Sequence, residues 1–228
     1  MAASMPAMPA MPQPFDTASW SRREAFQHFR QFEQPFFNVC TRVDAAPLKT
    51  AVGAVKTGSL ALAYHFIALR LVNLEQSFRL RLDGDSVVEH AVVHGSATVL
   101  RDDDSFGFAH LQHFLSYAAF VEQAAASMDA TRARVAGFDP RLGDTAVVYF
   151  TTLPWVHFSS FAHARQRDPG DSIPRFAFGR IDVDGQRQCQ WLPLSVEVHH
   201  ALMDGLHVGR FVQAFEAALA SPGDWLKT

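Results

Sequence analysis

Residues 194–219, LSVEVHHALMDGLHVGRFVQAFEAAL, combine a strand pattern and a helix pattern on either side of a short turn. In the first part Leu194, Val196 and Val198 alternate with polar residues, which predicts a strand with one apolar face. In the second part apolar side chains recur with helical spacing and end before 221–223, SPG; they are Val208, Phe211, Val212, Phe215 and Leu219. We therefore expect a strand that leads directly into a helix.

Two adjacent histidines lie at this strand-to-helix junction. The alternation puts His200 on the face shared with Val198, so we expect its imidazole to be buried. A buried imidazole is desolvated, which favours the neutral form that can accept a proton near pH 7. His200 is thus a candidate general base, and His199, on the other face, is expected to be structural. Because a single histidine at a strand end is more often structural, the role of His200 needs support from the rest of the sequence.

The composition limits the class of protein. The chain has 228 residues, of which 48% are hydrophobic and 19% charged, which is typical of a packed globular protein. With 20 Lys plus Arg against 23 Asp plus Glu, the formal net charge is -3, so we expect no nucleic-acid partner. No apolar run reaches the ~18 residues of a membrane span, and two cysteines cannot form a disulfide framework. We expect a cytoplasmic protein that does not associate with a membrane.

The chain is predicted to form one domain after a short leader. Residues 1–14, MAASMPAMPAMPQP, lack the basic start and unbroken apolar core of a secretory signal, which predicts a disordered leader. The one internal segment with linker composition, 168–174, lies among strand-like segments and does not divide two self-sufficient blocks. We therefore assign 15–228 to a single domain.

Strand and helix patterns are interleaved along the chain. Helical spacing occurs over 21–32, 60–71 and 106–126. Strand patterns occur over 37–43, 78–82, 87–93, 97–100, 146–151, 156–161, 176–183 and 190–199. The turns Asp83-Gly84 and Asp184-Gly185 predict hairpins. The mixed order favours an α/β fold, a two-layer sandwich in which helices pack on one face of a large mixed β-sheet.

The junction resembles a known enzyme signature. The segment 199–205, HHALMDG, is similar to the HHxxxDG motif of coenzyme A-dependent acyltransferases, above all of the chloramphenicol acetyltransferase family. Four further stretches resemble motifs of that family in the same order: 20–26 WSRREAF, 78–84 FRLRLDG, 153–161 LPWVHFSSF and 174–179 PRFAFG. Condensation domains and dihydrolipoamide acyltransferases share only the short motif. The former are much longer than this chain, and the latter carry a lipoyl-bearing region for which this sequence has no counterpart.

The resemblance implies an activity and an assembly. It implies a cytoplasmic homotrimer with active sites between subunits, in which acetyl-CoA and a small-molecule alcohol acceptor meet, and a role in antibiotic resistance. His200 would be the general base, and the acceptor hydroxyl would attack the thioester directly, without a covalent enzyme intermediate. Asp204 would be structural and would form an ion pair with Arg22. Otherwise we would expect Arg22 on the exposed side of its helix.

The resemblance also assigns the remaining site residues. Thr151 stands where the family has a serine, four residues before Trp155, that donates to the oxyanion; without the resemblance it is an ordinary strand residue. The coenzyme side would be formed by Trp155 and Arg180. The acceptor pocket would be lined by phenylalanines, namely Phe29, Phe37, Phe106 and Phe161.

Three departures from the family pattern leave the substrate open. Phe29 stands in place of a tyrosine that binds chloramphenicol, Ala177 replaces a hydroxyl residue, and Ile181 replaces a tyrosine near the coenzyme. The first hypothesis is an O-acetyltransferase acting on chloramphenicol or a similar hydroxylated aromatic compound. The second is the same chemistry on another acceptor or acyl donor. The third is a ligand-binding relative without turnover.

Other motifs are weaker. Residues 53–59, GAVKTGS, have the glycine spacing of a phosphate-binding loop but lack the lysine after the second glycine. His110 and His113 have a metal-ligand spacing with no third ligand nearby, and 102–104, DDD, is typical of a solvated turn, so we expect no metal. The sequence contains no GxSxG elbow, which argues against an α/β-hydrolase.

Overall fold

The computed structural model describes residues 11–135, 137–139, 141–165, 170–186 and 189–227. The first ten residues of the predicted leader lie outside these ranges. The helices are α1 (Arg23–Phe29), α2 (Ala46–Val55), α3 (Leu60–Leu74), α4 (Tyr117–Arg132) and α5 (Gly205–Ala220), with 3-10 turns at Gln76–Arg79 and Pro222–Asp224. The strands are β1 (Gln13–Pro14), β2 (Phe36–Asp44), β3 (Leu80–Asp83), β4 (Ser86–Glu89), β5 (His94–Leu100), β6 (Phe106–Leu111), β7 (Val147–Leu153), β8 (Arg175–Gly179), β9 (Asp182–Asp184) and β10 (Cys189–His199).

The strands form one large sheet and one small sheet. The large sheet has the order β2-β10-β8-β7-β5-β6, and β9 pairs with β10. The strand β7 runs parallel to β5 and β8, while the other pairs are antiparallel, so the sheet is mixed. The small sheet has the order β1-β4-β3. The predicted hairpin at Asp83-Gly84 is confirmed, since Asp83 pairs with Ser86.

One face of the large sheet packs against helices α2 to α5. Phe176 and Phe178 of β8 project into this core and contact Phe211 and Phe215 of α5. Phe150 of β7 packs beside Phe176 and Phe178. Each buried phenylalanine contributes roughly 1.5–3 kcal/mol of transfer free energy. The predicted two-layer α/β sandwich with helices on one face of a mixed sheet is therefore confirmed.

The helix α3 is buried on nearly all sides. Every residue from Leu62 to Leu69 is buried, so this helix has no polar face along that stretch. Its first turn is capped by Ser59, whose hydroxyl accepts the backbone N–H of Leu62 at 3.2 Å. Among the described residues no single helix is long and apolar enough to cross a membrane; only α2 and α3 together, bent by 110°, have that length and composition.

Arg81 joins the small sheet to the large one. Its guanidinium is 1% exposed and donates to the carbonyl oxygens of Thr145 and Val147, at 2.9 and 2.7 Å, where β7 begins. Burial lowers the pKa of this guanidinium to about 9, which leaves it charged at neutral pH. The carbonyl oxygens therefore stabilise a buried positive charge that holds the two sheets together.

Three local predictions were wrong. Residues 106–126 are not one helix: Phe106, Phe108 and His110 alternate with small and apolar residues in β6, and α4 begins only at Tyr117. Residues 156–161 are not a strand, because β7 ends at Leu153, before Pro154. The helix α2 was missed because proline and glycine weaken its helical pattern, although burial of its apolar side chains stabilises it.

The end of the predicted leader is also ordered. Gln13 and Pro14 form β1 and pair with Glu89 and Val88 of β4. The prediction of a disordered leader over 1–14 is therefore wrong for these two residues. The small sheet tolerates proline here because β1 is an edge strand. Phe15 follows the strand and its ring packs edge-on against Trp20, which gives the segment an apolar anchor.

Three histidines cluster where β5 begins and β6 ends. The rings of His94 and His110 are 5.1 Å apart, and Nδ1 of His94 accepts the backbone N–H of His113 at 3.1 Å. Burial is the main cause that lowers the pKa of all three, and it lowers those of His110 and His113 to about 4. These rings are therefore neutral in the folded chain at pH 7.

We expect the free energy of unfolding to decrease as the pH falls from 6.5 toward about 4. In this window the unfolded chain protonates these histidines whereas the folded chain does not, so acid favours unfolding. Thermal melts at pH 7 and pH 5 should show a loss of ~3 °C or more. His110→Gln should reduce this pH dependence, and His157→Gln, which changes an exposed ring, should not. Equal pH dependence in the wild type and His110→Gln would show that His110 does not contribute to the loss of stability in acid.

Candidate active site

The strand β10 ends at His199, and the chain then turns sharply. The carbonyl oxygen of His199 accepts the backbone N–H groups of Leu202 and Met203, at 3.0 and 3.1 Å. The N–H of His200 donates to the carbonyl oxygen of Pro35 at 2.7 Å, which ties the turn to the segment before β2. As a result His200 lies outside the strand, at the end of the sheet.

The imidazole of His200 lies between aromatic rings. It stacks on Phe29 with ring centroids 3.7 Å apart and an interplanar angle of 5°, and Phe37 lies 4.7 Å away at an inclined angle. The side chain is 32% exposed. The expectation that His200 is buried was therefore wrong: β10 ends at His199, and the turn leaves about a third of the His200 side chain exposed.

The two ring nitrogens of His200 have different surroundings. Nδ1 is inaccessible to solvent and lies 3.3 Å from Oδ1 of Asp204, outside hydrogen-bond geometry. Nε2 has no hydrogen-bond partner in the described part of the chain, and solvent can reach it. The open nitrogen, Nε2, can therefore exchange a proton with a bound molecule.

Arg22 holds the turn together through four hydrogen bonds. Its Nε and Nη2 donate to the carboxylate of Asp204 at 2.7 and 2.5 Å. Its Nη1 and Nη2 also donate to the carbonyl oxygens of Ala201 and His200, both at 2.9 Å. The predicted Arg22–Asp204 ion pair is present, and the side-chain hydrogen bond from Arg22 is the main cause that lowers the pKa of Asp204.

Asp204 and His207 cap the start of α5 reciprocally. The carboxylate of Asp204 accepts the backbone N–H of His207, and Nδ1 of His207 accepts the backbone N–H of Asp204 at 3.0 Å. This is the geometry of a capping box, with histidine in the place of the usual glutamate. Sequence reasoning missed His207, although its position three residues after Asp204 could have indicated it.

Thr151 lies in a cavity on the other face of the large sheet. Phe150 packs in the core, and Oγ1 of Thr152 lies 3.4 Å from Nε2 of the buried His65. Because successive strand residues point to opposite faces, Thr151, between these two, points away from the helices. The cavity has a volume of about 790 Å³. Its apolar walls come from Leu100, Phe106, Phe108, Leu142, Leu153, Trp155 and Ile173. An apolar cavity with a few polar groups is typical of a small-molecule site.

The remaining predicted site residues divide between two places. Phe106 and Trp155 line the cavity that contains Thr151, whereas Phe29 and Phe37 contact His200. Phe161 lines neither position directly: its ring packs with Phe158 and His163, and its carbonyl oxygen accepts from Asn38 at 2.8 Å. Arg180 is exposed after β8.

His200 does not line the cavity that contains Thr151. A single chain therefore presents two separate half-sites. We call the group of His200, Phe29, Phe37, Asp204 and Arg22 the histidine half-site, and the cavity around Thr151 the threonine half-site. Neither half-site alone holds both His200 and Thr151.

His199 has a structural role, as expected. It is 3% exposed, its Nδ1 accepts the backbone N–H of Ala201 at 3.2 Å, and its ring packs edge-on against Phe36. Burial lowers the pKa of His199 to about 4, which fits a neutral ring that accepts a hydrogen bond.

A buried ion network lies beside the threonine half-site, and sequence reasoning missed it. Arg165 binds both Glu197 and Asp171, and Arg175 donates to Asp171 at 2.9 Å. Burial raises the pKa of Glu197, but hydrogen bonds from His163 and Arg165 outweigh it and bring the pKa to about 2. These charges give one end of the apolar cavity a polar wall, since His163, Asp171 and Arg175 line it.

We expect Asp204→Asn to lower both stability and activity. The substitution leaves the buried guanidinium of Arg22 without its charged partner, which costs about 1–3 kcal/mol, less than the ~3–5 kcal/mol of a fully buried pair because Asp204 is 37% exposed. Thermal melts should show a decrease of roughly 3–8 °C.

The matched control is Asp85→Asn, which removes the ion pair of Arg30 with a fully exposed carboxylate. It should leave the melting temperature within ~1 °C of the wild type. If Asp204→Asn were inactive but as stable as the wild type, Asp204 would act in the chemistry and not in positioning.

Comparisons with known proteins show the family. The family model for chloramphenicol acetyltransferase matches residues 13–216. The chloramphenicol acetyltransferase of Streptomyces acrimycini is 30% identical over 220 residues, which cover 94% of this chain and 97% of the relative. That of Vibrio anguillarum is 25% identical over 211 residues, or 90% of this chain and 93% of the relative.

Solved structures share the fold. A chloramphenicol acetyltransferase superposes with a TM-score of 0.82 at 23% identity, over 92% of this chain and 100% of that chain. The cubic core of a pyruvate dehydrogenase multienzyme complex superposes with a TM-score of 0.66 at 16% identity, over 96% and 100% of the two chains. The resemblance noted in the sequence is thus confirmed: this chain belongs to the chloramphenicol acetyltransferase family and is an acyltransferase of that acetyl-CoA-dependent type.

Proposed function

We propose that the protein is an acetyl-CoA-dependent O-acetyltransferase in which His200 is the general base. The observation that carries the proposal is the geometry of His200, whose Nε2 is open while its ring is held by Phe29 and the Arg22–Asp204 pair. A fixed ring with one accessible nitrogen is what general-base catalysis needs. The family relationship supplies the acyl donor.

The reaction is a direct transfer between two substrates. Nε2 of His200 takes the proton of the acceptor hydroxyl as its oxygen attacks the thioester carbonyl carbon. The C–S bond then breaks, and the departing sulfur takes the proton from the imidazolium. The products are an O-acetyl ester and the free thiol of coenzyme A, and His200 returns to its neutral form.

Thr151 supplies the hydrogen bond to the carbonyl oxygen as negative charge develops there. Its hydroxyl is part of the lining of a cavity that can hold the reacting groups away from water. Trp155, 58% exposed, would contact the coenzyme, and Arg180 would attract its phosphate groups.

A complete active site requires two copies of the chain. The two half-sites lie apart in one chain, so we propose that the histidine half-site of one copy faces the threonine half-site of the next in a cytoplasmic homotrimer. Such an interface is head-to-tail and closes into a ring. The exposed side chains of Phe106 and Trp155, at the mouth of the threonine half-site, are apolar surface that such an interface would cover.

The acceptor is proposed to be chloramphenicol or a similar hydroxylated aromatic compound. The named relatives support this class, and the aromatic lining of both half-sites suits an aromatic acceptor. Phe29, Ala177 and Ile181 supply no hydroxyl to the site, so another acceptor or acyl donor is the second candidate. A role in antibiotic resistance follows only from the first candidate.

We expect His200→Ala to reduce kcat by roughly 10²–10⁴ because the acceptor hydroxyl loses its base. Thr151→Ala should reduce kcat by roughly 10², whereas Thr151→Ser, which keeps a hydroxyl, should stay within about tenfold of the wild type. The measurement is release of the coenzyme A thiol from acetyl-CoA, with chloramphenicol tested first and then a panel of alcohols. If the wild-type protein released no thiol with any acceptor, the proposed acetyltransferase activity would be contradicted and a ligand-binding protein would be favoured.

The assembly is tested by mixing two inactive variants. Co-expressed His200→Ala and Thr151→Ala chains with different tags should form mixed trimers in which about one interface in three joins an intact base to an intact threonine. Purification through both tags should therefore recover activity that neither variant has alone. Dual-tagged assemblies that stay as inactive as the single variants would show that each site belongs to one chain.

A further inference from the structure

The threonine half-site also contains a phenol hydroxyl, that of Tyr149. Tyr149 precedes Thr151 by two residues in β7, so both side chains stand on the same face of the sheet, about 7 Å apart along the strand. Both residues line the cavity of about 790 Å³. The phenol is longer than the threonine side chain and reaches further from the sheet.

The hydroxyl of Tyr149 is available to a ligand. It makes no hydrogen bond to any residue that the structure describes and it is not buried, so it is open to solvent. The other two tyrosines differ: Tyr117 donates to the carbonyl oxygen of Thr57 at 3.1 Å, and Tyr64 is hydrogen-bonded to Thr152 in the core.

The ring of Tyr149 is held in place by its neighbours. Phe108 packs edge-on against it with centroids 5.8 Å apart, and the guanidinium of Arg175 lies over the ring at 5.7 Å. Arg175 is itself fixed by Asp171 at 2.9 Å. A side chain held in this way loses little conformational entropy when it binds a ligand, which favours specific recognition.

The charges around the cavity determine what this hydroxyl can bind. Three carboxylates, of Asp139, Asp144 and Asp171, line the cavity together with the single guanidinium of Arg175. Burial and these carboxylates raise the pKa of Tyr149, so the phenol keeps its proton and can donate it in a hydrogen bond. Asp171 pairs with Arg165 and Arg175, and Asp144 pairs with Arg141, so the described lining offers a ligand carboxylate no free cation to offset its desolvation.

The other hydroxyls of the cavity lining belong to short threonine side chains, namely Thr98, Thr145 and Thr152. The residue that pairs with Thr151 on β8 is Ala177, which has no hydroxyl, and Phe29 presents only a hydrocarbon ring. The hydroxyl of Thr152 lies near His65. Tyr149 therefore differs from the described threonines of the lining by a phenol that reaches further from the sheet.

We propose that Tyr149 determines the acceptor class by donating a hydrogen bond to an uncharged oxygen of the acceptor, such as an amide or ketone carbonyl. The inference rests on the proposed acetyl transfer and adds that the acceptor carries this oxygen at the end remote from its reacting hydroxyl. Acceptors with a carboxylate in that position are disfavoured because the charge would be desolvated without a free cationic partner in the described lining.

The test compares three aromatic alcohols that differ at one position: 2-phenylethanol, its 4-carboxamide and its 4-carboxylate. With the wild-type protein, kcat/KM should be about five- to tenfold higher for the carboxamide than for 2-phenylethanol, which is the value of one hydrogen bond. The carboxylate should be the poorest of the three. Tyr149→Phe should remove the advantage of the carboxamide over 2-phenylethanol, with the loss mainly in KM.

The matched control is Tyr117→Phe, which removes a hydroxyl on the helical side of the sheet and should keep the preference. Thiol release with 2-phenylethanol but no preference for the carboxamide would overturn the role of Tyr149 and leave the acetyl transfer standing. If none of the three alcohols is acetylated, titration calorimetry measures their binding affinities, which are compared in the same way. Equal affinity of the wild type and Tyr149→Phe for the carboxamide, or no binding of it, would overturn the inference.

Discussion

The ion pair between Arg22 and Asp204 holds the structure of the histidine half-site. The same guanidinium binds the carboxylate that caps α5 and the two carbonyl oxygens of the turn that carries His200. It therefore fixes the end of β10, the start of α5 and the backbone of His200 relative to α1. Stacking of Phe29, the last residue of α1, then orients the imidazole. Stability and the proposed catalysis consequently depend on the same contacts.

The two faces of the large sheet have different roles: one packs against the helices, and the other carries the threonine half-site. Its helical face is filled with aromatic and aliphatic side chains, whereas the other face carries Thr151, Tyr149 and a network of buried charges. Because strand alternation sends successive side chains to opposite faces, β7 can contribute Phe150 to the core and Thr151 to the cavity. The polar face is where this chain can differ from its relatives without loss of the core.

Local patterns predicted the fold class and the strand and helix around the HHALMDG motif, whereas the Arg22–Asp204 pair was predicted only from the family resemblance. They failed where tertiary contacts decide the outcome. Alternation predicted a buried His200, but the turn after His199 is set by a hydrogen bond to Pro35, which is remote in sequence. The role of Tyr149 depends on Arg175 and Phe108 from two other strands, and no local pattern contains that information. The small strand β1 likewise exists only because β4 pairs with it.

The central claim is that one copy supplies the base and another the hydroxyl donor to the same bound substrates. A crystal structure of the assembly with coenzyme A and an acceptor alcohol tests it most directly. The account predicts Nε2 of His200 within ~2.6–3.2 Å of the acceptor hydroxyl, and the hydroxyl of a neighbouring copy's Thr151 beside the thioester position. An assembly in which the acceptor lies in the threonine half-site with no His200 within reach would contradict it.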